Sequence, residues 1–410
     1  MAPPITTFTI DIPEARLQRL KQKLELTEFP DEVTDLAPGE GWSRGVPLSE
    51  MKRLVRYWHD EFDWRAVETN LNKLPHFSTE IEVEGLGNYQ VHFVHQRSHV
   101  TNAIPLLFLH GWPGSFIEVT KILPLLVQGS DSSPGIHVVA PSLMDFGFSS
   151  GSKKKAFYVE QHAEACHKLM LSLGYDEYVI QAGDLGCLVS RLLAFKYGRA
   201  HCKALHTNSA LPAEPTAWSH PELYEKIKAT PLSDSEIAGL GRTAAFGTEG
   251  NGYFKQMSTR DQTIGYSLAD SPVGLLAWLY EKLHDWSDNY PWTDDEILTW
   301  VSIYYFSSAG AGASGRAYYA IEHSDPPAFA ASQRYVDVPL GIARFAGDTV
   351  LLPKLWSQTL GPVVYESEYP KGGHFAAWER PEDIVKDLRA MFGKGGVASG
   401  CVTGKSGFDD

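Results

Sequence analysis

Cysteine is scarce. Cys166, Cys187, Cys202 and Cys401 are the four in 410 residues. Their separations match neither a zinc-ligand pair nor a disulfide framework, so they read as reduced thiols in a soluble, cytoplasmic chain. Basic excess is missing too. Lys and Arg number 36 against 50 Asp and Glu, a formal charge of −14. That balance argues against nucleic acid and anionic membrane as partners. The run Lys153-Lys154-Lys155 is isolated and reads as a solvated loop. No apolar stretch reaches the roughly 18 residues of a membrane span. The N-terminus, Met1 to Ile10, lacks the basic-then-apolar order of a signal peptide. There is no internal repeat.

What is present is a large apolar fraction, 43%, with 12% aromatic residues, enough for a sizeable core. Residues 1–100 hold amphipathic patterns that predict helices over 14–26, 48–62 and 64–74. Strands are expected over 79–84 and 90–96, around the Gly87-Asn88 turn. Residues 101–212 alternate apolar strands (104–109, 136–141, 178–182, 204–208) with helices (118–126, 159–173, 188–197). That alternation implies a parallel sheet covered by helices. Residues 213–328 change to helices punctuated by Pro and Gly and carry Trp278, Trp286, Trp292 and Trp300. Over 329–395 the alternation resumes, with strands at 340–345 and 363–369 and a closing helix at 381–392. Residues 396–410 are rich in Gly and Ser, which predicts a mobile tail. Sheet, insertion, sheet is the layout of an α/β-hydrolase fold with an inserted helical cap, here preceded by an N-terminal meander region.

The stretch Ala182-Gly183-Asp184-Leu185-Gly186 joins an apolar strand to a helix through small residues. This is the shape of a nucleophile elbow, with Asp184 where Ser usually stands. The bland alternative is an Asp capping the helix. A second match, Gly147-Phe148-Ser149-Ser150-Gly151, fits the serine-hydrolase pattern but lies between no strand and no helix, and reads as a loop. After the insertion, Asp348 ends one strand and His374 follows the next in a Gly-rich turn. The order nucleophile, acid, His is the one this fold requires. Each alone is an ordinary turn residue; together they form a candidate triad. Upstream, His110-Gly111-Trp112-Pro113-Gly114 follows a strand. The N–H groups of Trp112 and Leu185 are candidates for an oxyanion hole, with Pro113 a candidate cis residue. The same residues also read as an ordinary Trp-Pro-Gly turn.

An Asp nucleophile suits displacement at an sp³ carbon. A Ser would be left as an ether that activated water does not cleave; an Asp forms an ester that water hydrolyses. The leaving group is then an epoxide oxygen or a halide. An epoxide oxygen leaves as a basic alkoxide and needs a proton donor such as a phenol. The insertion offers Gly252-Tyr253-Phe254 and Arg316-Ala317-Tyr318-Tyr319, but nothing in their spacing selects them among eighteen tyrosines.

The sequence resembles the microsomal-type epoxide hydrolases over nearly its whole length, without the membrane anchor of the mammalian members. The specific segments are HGWPGSF around Trp112, AGDLG around Asp184, QTIGYSLADSPVGLLAWLYEK before Trp286 and GGHFAAWERP around His374. FDWRAVETNLNKLPHF, from Phe62 to Phe77, carries the match in the N-terminal region, expected to pack on core and lid. The resemblance implies that Asp184 is the nucleophile, Asp348 the charge-relay acid and His374 the general base. It implies Tyr253 and Tyr318 as the lid acids, with Tyr319 a competing register. It implies a small-molecule epoxide as substrate, a vicinal diol as product, a detoxifying role, and no cofactor or metal. Three departures stand out. Ala182 replaces a frequent Gly. Asp261 stands where Pro is common. Leu185 follows the nucleophile where haloalkane dehalogenases place a Trp. The competing readings are therefore a dehalogenase on the same scaffold and a non-catalytic ligand-binding relative. A homodimer through the lid is a further expectation.

Overall fold

The structure, a computed structural model, describes residues 4–409. In chain order its strands are β1 (Thr6–Thr7), β2 (His76–Val83), β3 (Gly87–Gln96), β4 (Ile104–Leu109), β5 (Ile136–Pro141), β6 (Tyr178–Ala182), β7 (Cys202–Thr207), β8 (Leu340–Phe345) and β9 (Val363–Tyr369). They form one sheet in the order β1-β2-β3-β5-β4-β6-β7-β8-β9. From β5 to β9 neighbours pair in parallel. The N-terminal edge, β1 to β3, is antiparallel and joins the rest through β3 and β5. Every residue of β4 and β6 is buried. A strand covered on both faces loses the alternating pattern and reads as an apolar run, as these two do.

Several boundaries differ from the sequence expectation. The helix expected over 188–197 runs Asp184–Tyr197 and so begins at the elbow itself. The helix expected over 118–126 is two pieces, a 3₁₀ turn Phe116–Lys121 and a helix Leu123–Val127. Pro124 lies in the first turn of the second piece, where its missing N–H has no helical partner to lose. Residues 396–409 are not loose. Ala398, Val402 and Phe408 are buried. Gly407 exchanges backbone bonds with Gly135 (2.7 Å) and Asn102 (2.8 Å), which ties the tail beside β4 and β5. Gly and Ser content predicted mobility; three apolar anchors override it.

Between β7 and β8 the lid comprises the helices Pro221–Ala229, Asp234–Ala245, Gly252–Asp270, Pro272–Asp285, Asp294–Tyr305 and Gly315–His323. The third is broken at Arg260, with φ −146° and ψ 56°. A residue before proline avoids the helical region; Arg260 does so although Asp261 holds proline's place. The N-terminal helices clamp the lid from outside. Arg53 Nη1 lies 2.5 Å from Asp294 Oδ2, Arg16 Nη2 donates to the Tyr305 carbonyl at 3.0 Å, and Trp64 packs on Phe306. Among the described residues no helix is long and apolar enough to cross a membrane.

Candidate active site

β6 ends at Ala182, and the chain turns at once into the helix that starts with Asp184. Asp184 has φ +48°. Holding a non-glycine residue there costs on the order of 1–3 kcal/mol, which the surrounding packing must offset. The turn also presses on β4. A Cβ at Gly186 would lie 2.4 Å from the Leu109 carbonyl oxygen, so only glycine fits. Ala182, the departure one turn earlier, is fully buried in the sheet. The tight bend projects the Asp184 carboxylate above the C-terminal ends of the strands.

There it meets the loop after β4. The Trp112 N–H donates to Asp184 Oδ1 at 2.8 Å, and the Leu185 N–H helps to lower the pKa of the carboxyl. The Trp112–Pro113 bond is cis. Lid and core both hold this loop. Trp300 donates its indole N–H to the Pro113 carbonyl, and one turn on Tyr304 donates to the Gly114 carbonyl at 2.6 Å. On the core side the Leu143 N–H donates to His110 Nε2 at 3.1 Å. That leaves the His110 proton on Nδ1, 3.0 Å from the Gly111 carbonyl. Burial keeps His110 neutral, with its pKa pushed down to about 4.

The turns after β8 and β9 bring Asp348 and His374 to the same point. His374 Nδ1 lies 2.9 Å from Asp348 Oδ1, and Nε2 lies 3.4 Å from Asp184 Oδ2. The Thr349 N–H donates to Asp348 Oδ1 at 2.7 Å and fixes that carboxylate. Burial opposes the charge on His374, but Asp348 and Asp184 outweigh it and hold its pKa well above the ordinary value. Burial likewise opposes the charge on Asp184. The facing imidazole and the two N–H donors prevail, so this carboxyl stays below its usual range. Each group thus favours the charged form of the other.

Tyr253 and Tyr318 close the site from the lid. Both are buried, and their rings meet edge-on at 5.6 Å. Both rest on Trp112, Tyr253 stacked at 4.9 Å and Tyr318 edge-on at 5.6 Å. Burial raises both phenols above the ordinary value, and the Asp184 charge adds to it. Tyr319 points away, 36% exposed and stacked on His323. A cavity of about 270 Å³ lies between Asp184, His374 and the two phenols. Its remaining walls are mainly apolar, with Phe246, Phe254, Trp286, Leu188 and Phe329 prominent.

Ser149 lies elsewhere. It is fully buried, donates to the Ser142 carbonyl at 2.6 Å and accepts from the His92 N–H at 2.9 Å. Its hydroxyl is a loop brace.

Two residues of the site gave no signal in the sequence reading. Trp286 packs on both Tyr253 and His374, at 5.0 Å in each case, and its carbonyl accepts the His374 N–H at 2.8 Å. Glu118 stands behind the triad. It lines a second cavity of about 20 Å³ with His374, Asp184, Gln181 and Asn208. Burial pushes its pKa up to about 8. Gly114 leaves room for its carboxyl: a Cβ there would fall on Glu118 Oε1. The pattern Gly114 followed four residues later by Glu118 was the available clue.

The family model for the epoxide hydrolase N terminus matches residues 5–119, and that for the alpha/beta hydrolase fold matches residues 104–381. Epoxide hydrolase 1 of Sus scrofa is 32% identical over 95% of this chain and 88% of its own length. The chain belongs to the epoxide hydrolase family. The solved structure of Aspergillus niger epoxide hydrolase is 33% identical, with TM-score 0.79 over 94% of this chain and 95% of that one. Juvenile hormone epoxide hydrolase from the silkworm Bombyx mori is 26% identical, with TM-score 0.84 over 94% and 93% of the two chains.

Proposed function

We propose that this epoxide hydrolase converts an apolar epoxide and water to a vicinal diol through an ester on Asp184. The observation that carries the reading is the facing of two buried phenols, Tyr253 and Tyr318, and the Asp184 carboxylate across one cavity. A dehalogenase would need neutral halide donors; the residue after the nucleophile is Leu185 and the opposing groups are phenols.

In the first step an Asp184 oxygen attacks one epoxide carbon as that carbon's bond to oxygen breaks. The departing oxygen takes a proton from a lid phenol, and the other phenol donates a hydrogen bond to it. Asp184 needs no base, since it is already ionised. In the second step His374 Nε2 takes a proton from water, which attacks the ester carbonyl carbon. The Trp112 N–H, bound to Asp184 in the resting site, and the neighbouring Leu185 N–H then receive the oxyanion. Asp348 holds the imidazolium that forms. His374 gives its proton to the departing diol oxygen, and the net proton released by ester hydrolysis restores the phenol.

The cavity size and its aromatic walls suit a compact apolar epoxide, since burial of apolar surface is the binding force they offer. The test is one turnover in ¹⁸O-water with enzyme in excess. Label is expected on the Asp184 carboxyl and not in the diol, read by mass spectrometry of the Asp184 peptide. Label entering the diol directly would overturn the ester; chloride release from haloalkanes at a faster rate than epoxide opening would overturn the substrate class.

A further inference from the structure

Lys282 stands in the lid helix Pro272–Asp285, one turn before Trp286. It is 3% exposed, an unusual place for an ammonium group. Its Nζ lies 5.5 Å from the ring centroid of Tyr253 and 5.5 Å from that of Trp278. Its carboxylate partner is the adjacent Glu281, whose side chain is 34% exposed. Water therefore screens much of the Glu281 charge, while Tyr253 is enclosed by the Trp112 and Trp286 rings. A lysine used only as filler could be replaced by an apolar chain and would spare the cost of burying a charge. The cost is offset here by the Glu281 carboxylate and by two ring faces, and one of those rings belongs to a phenol of the site.

We propose that Lys282 is a positioning residue that polarises the Tyr253 phenol for epoxide opening, an inference that rests on the proton-donor role of Tyr253 given above. A cation over a ring attracts its electron density. It also favours negative charge on the phenol oxygen, which is what grows when Tyr253 releases its proton. Ester hydrolysis makes no such demand on Tyr253, so the effect belongs to the first step alone.

The experiment is single-turnover kinetics on the full chain with styrene oxide, with adduct formation and adduct loss measured separately. Lys282→Met is expected to slow adduct formation roughly 10-fold, the scale of a desolvated cation–π contact, and to leave adduct loss within about 2-fold. Lys282→Arg should retain most of the rate, because it keeps the charge. The decisive arm is the double variant. In a Tyr253→Phe background, Lys282→Met should change adduct formation by less than about 2-fold, since there is no proton left to polarise. An equal loss in both backgrounds, or an equal loss in both steps, would mean that Lys282 only supports lid packing and would overturn the proposal. A parental rate in Lys282→Met would overturn it as well. Should Lys282→Met not fold, Lys282→Gln carries the same cycle. If Tyr253→Phe by itself leaves adduct formation untouched, the donor reading of Tyr253 fails, a result distinct from failure of Lys282 alone.

Discussion

His374 Nε2 lies 3.4 Å from Asp184 Oδ2, and each group favours the charged form of the other. The pairing has a kinetic consequence. An ester on Asp184 removes the carboxylate charge that helps to raise His374. The imidazole pKa then falls at the moment a base is required. Adduct loss should therefore show a basic limb, with half-maximal rate at a pH below the His374 titration of the free enzyme. The comparison needs stopped-flow adduct loss against pH and an NMR titration of His374 in the resting chain. A limb at or above the resting titration would contradict the coupling.

Removing the base should separate the steps. His374→Gln is expected to form the adduct and keep it, visible as a mass increase equal to the epoxide. Asp348→Asn should slow adduct loss less severely, because the ring keeps its place but loses its 2.9 Å charge partner. A His374→Gln enzyme that binds epoxide yet forms no adduct would place His374 in the first step.

Ser149 should be dispensable for chemistry. Ser149→Ala removes a buried hydroxyl that bridges the Ser142 carbonyl and the His92 N–H. The expected result is diol formation within a few-fold of the parent and a loss of stability of roughly 1–3 kcal/mol, measured by denaturant unfolding. A fall in turnover on the order of 10³ without unfolding would revive the serine reading.

These outcomes bear on what the sequence could reveal. The meeting of Asp184, Asp348 and His374 was legible because each follows a strand of one sheet, and the strand pattern fixes where strand ends meet. Trp112 was legible for the same reason. Tyr253 and Tyr318 lie on lid helices whose packing no periodicity reports, and only resemblance selected them. The choice between Tyr318 and Tyr319 is a matter of helical phase: one faces Trp112, the other stacks on His323 in solvent. Lys282 was hidden because a lysine in a helix normally points to water. The tail from 396 was misread because Gly and Ser content outvotes three apolar anchors in composition but not in packing.

The lid tyrosines allow a stepwise test. Tyr253→Phe and Tyr318→Phe are each expected to slow adduct formation roughly 10- to 1000-fold, as for loss of one donor to a developing charge. The double variant should nearly abolish it. Tyr319→Phe should leave it unchanged, since that hydroxyl lies outside the cavity. A double variant that alkylates at the parental rate would reduce both phenols to packing.

Glu118 is the last residue with a specific expectation. It shares a cavity of about 20 Å³ with His374 and Asp184, and neither lid phenol lines it. A space of roughly 10–15 Å³ or more suffices for one water when polar groups line it. His374 Nε2 and Gln181 Oε1 both lack a hydrogen-bond partner among the described residues, and both belong to residues that line this cavity. Water held there would stand beside the base that must deprotonate it, and Glu118 would orient it. Glu118→Gln keeps the shape and a donor but removes the titrating acid. Adduct formation should stay near the parental rate, while adduct loss slows about 10-fold or more. Stability offers an independent reading. The Glu118 carboxyl is raised from 4.5 to about 8 in the folded chain. Between those values the folded chain holds a proton that the unfolded chain has released, so this group makes stability fall as pH rises through the window. Glu118→Gln should flatten that fall, measured as unfolding midpoints across the same pH range. A variant with unchanged adduct loss and an unchanged pH slope would show that Glu118 neither orients water nor remains protonated at neutral pH.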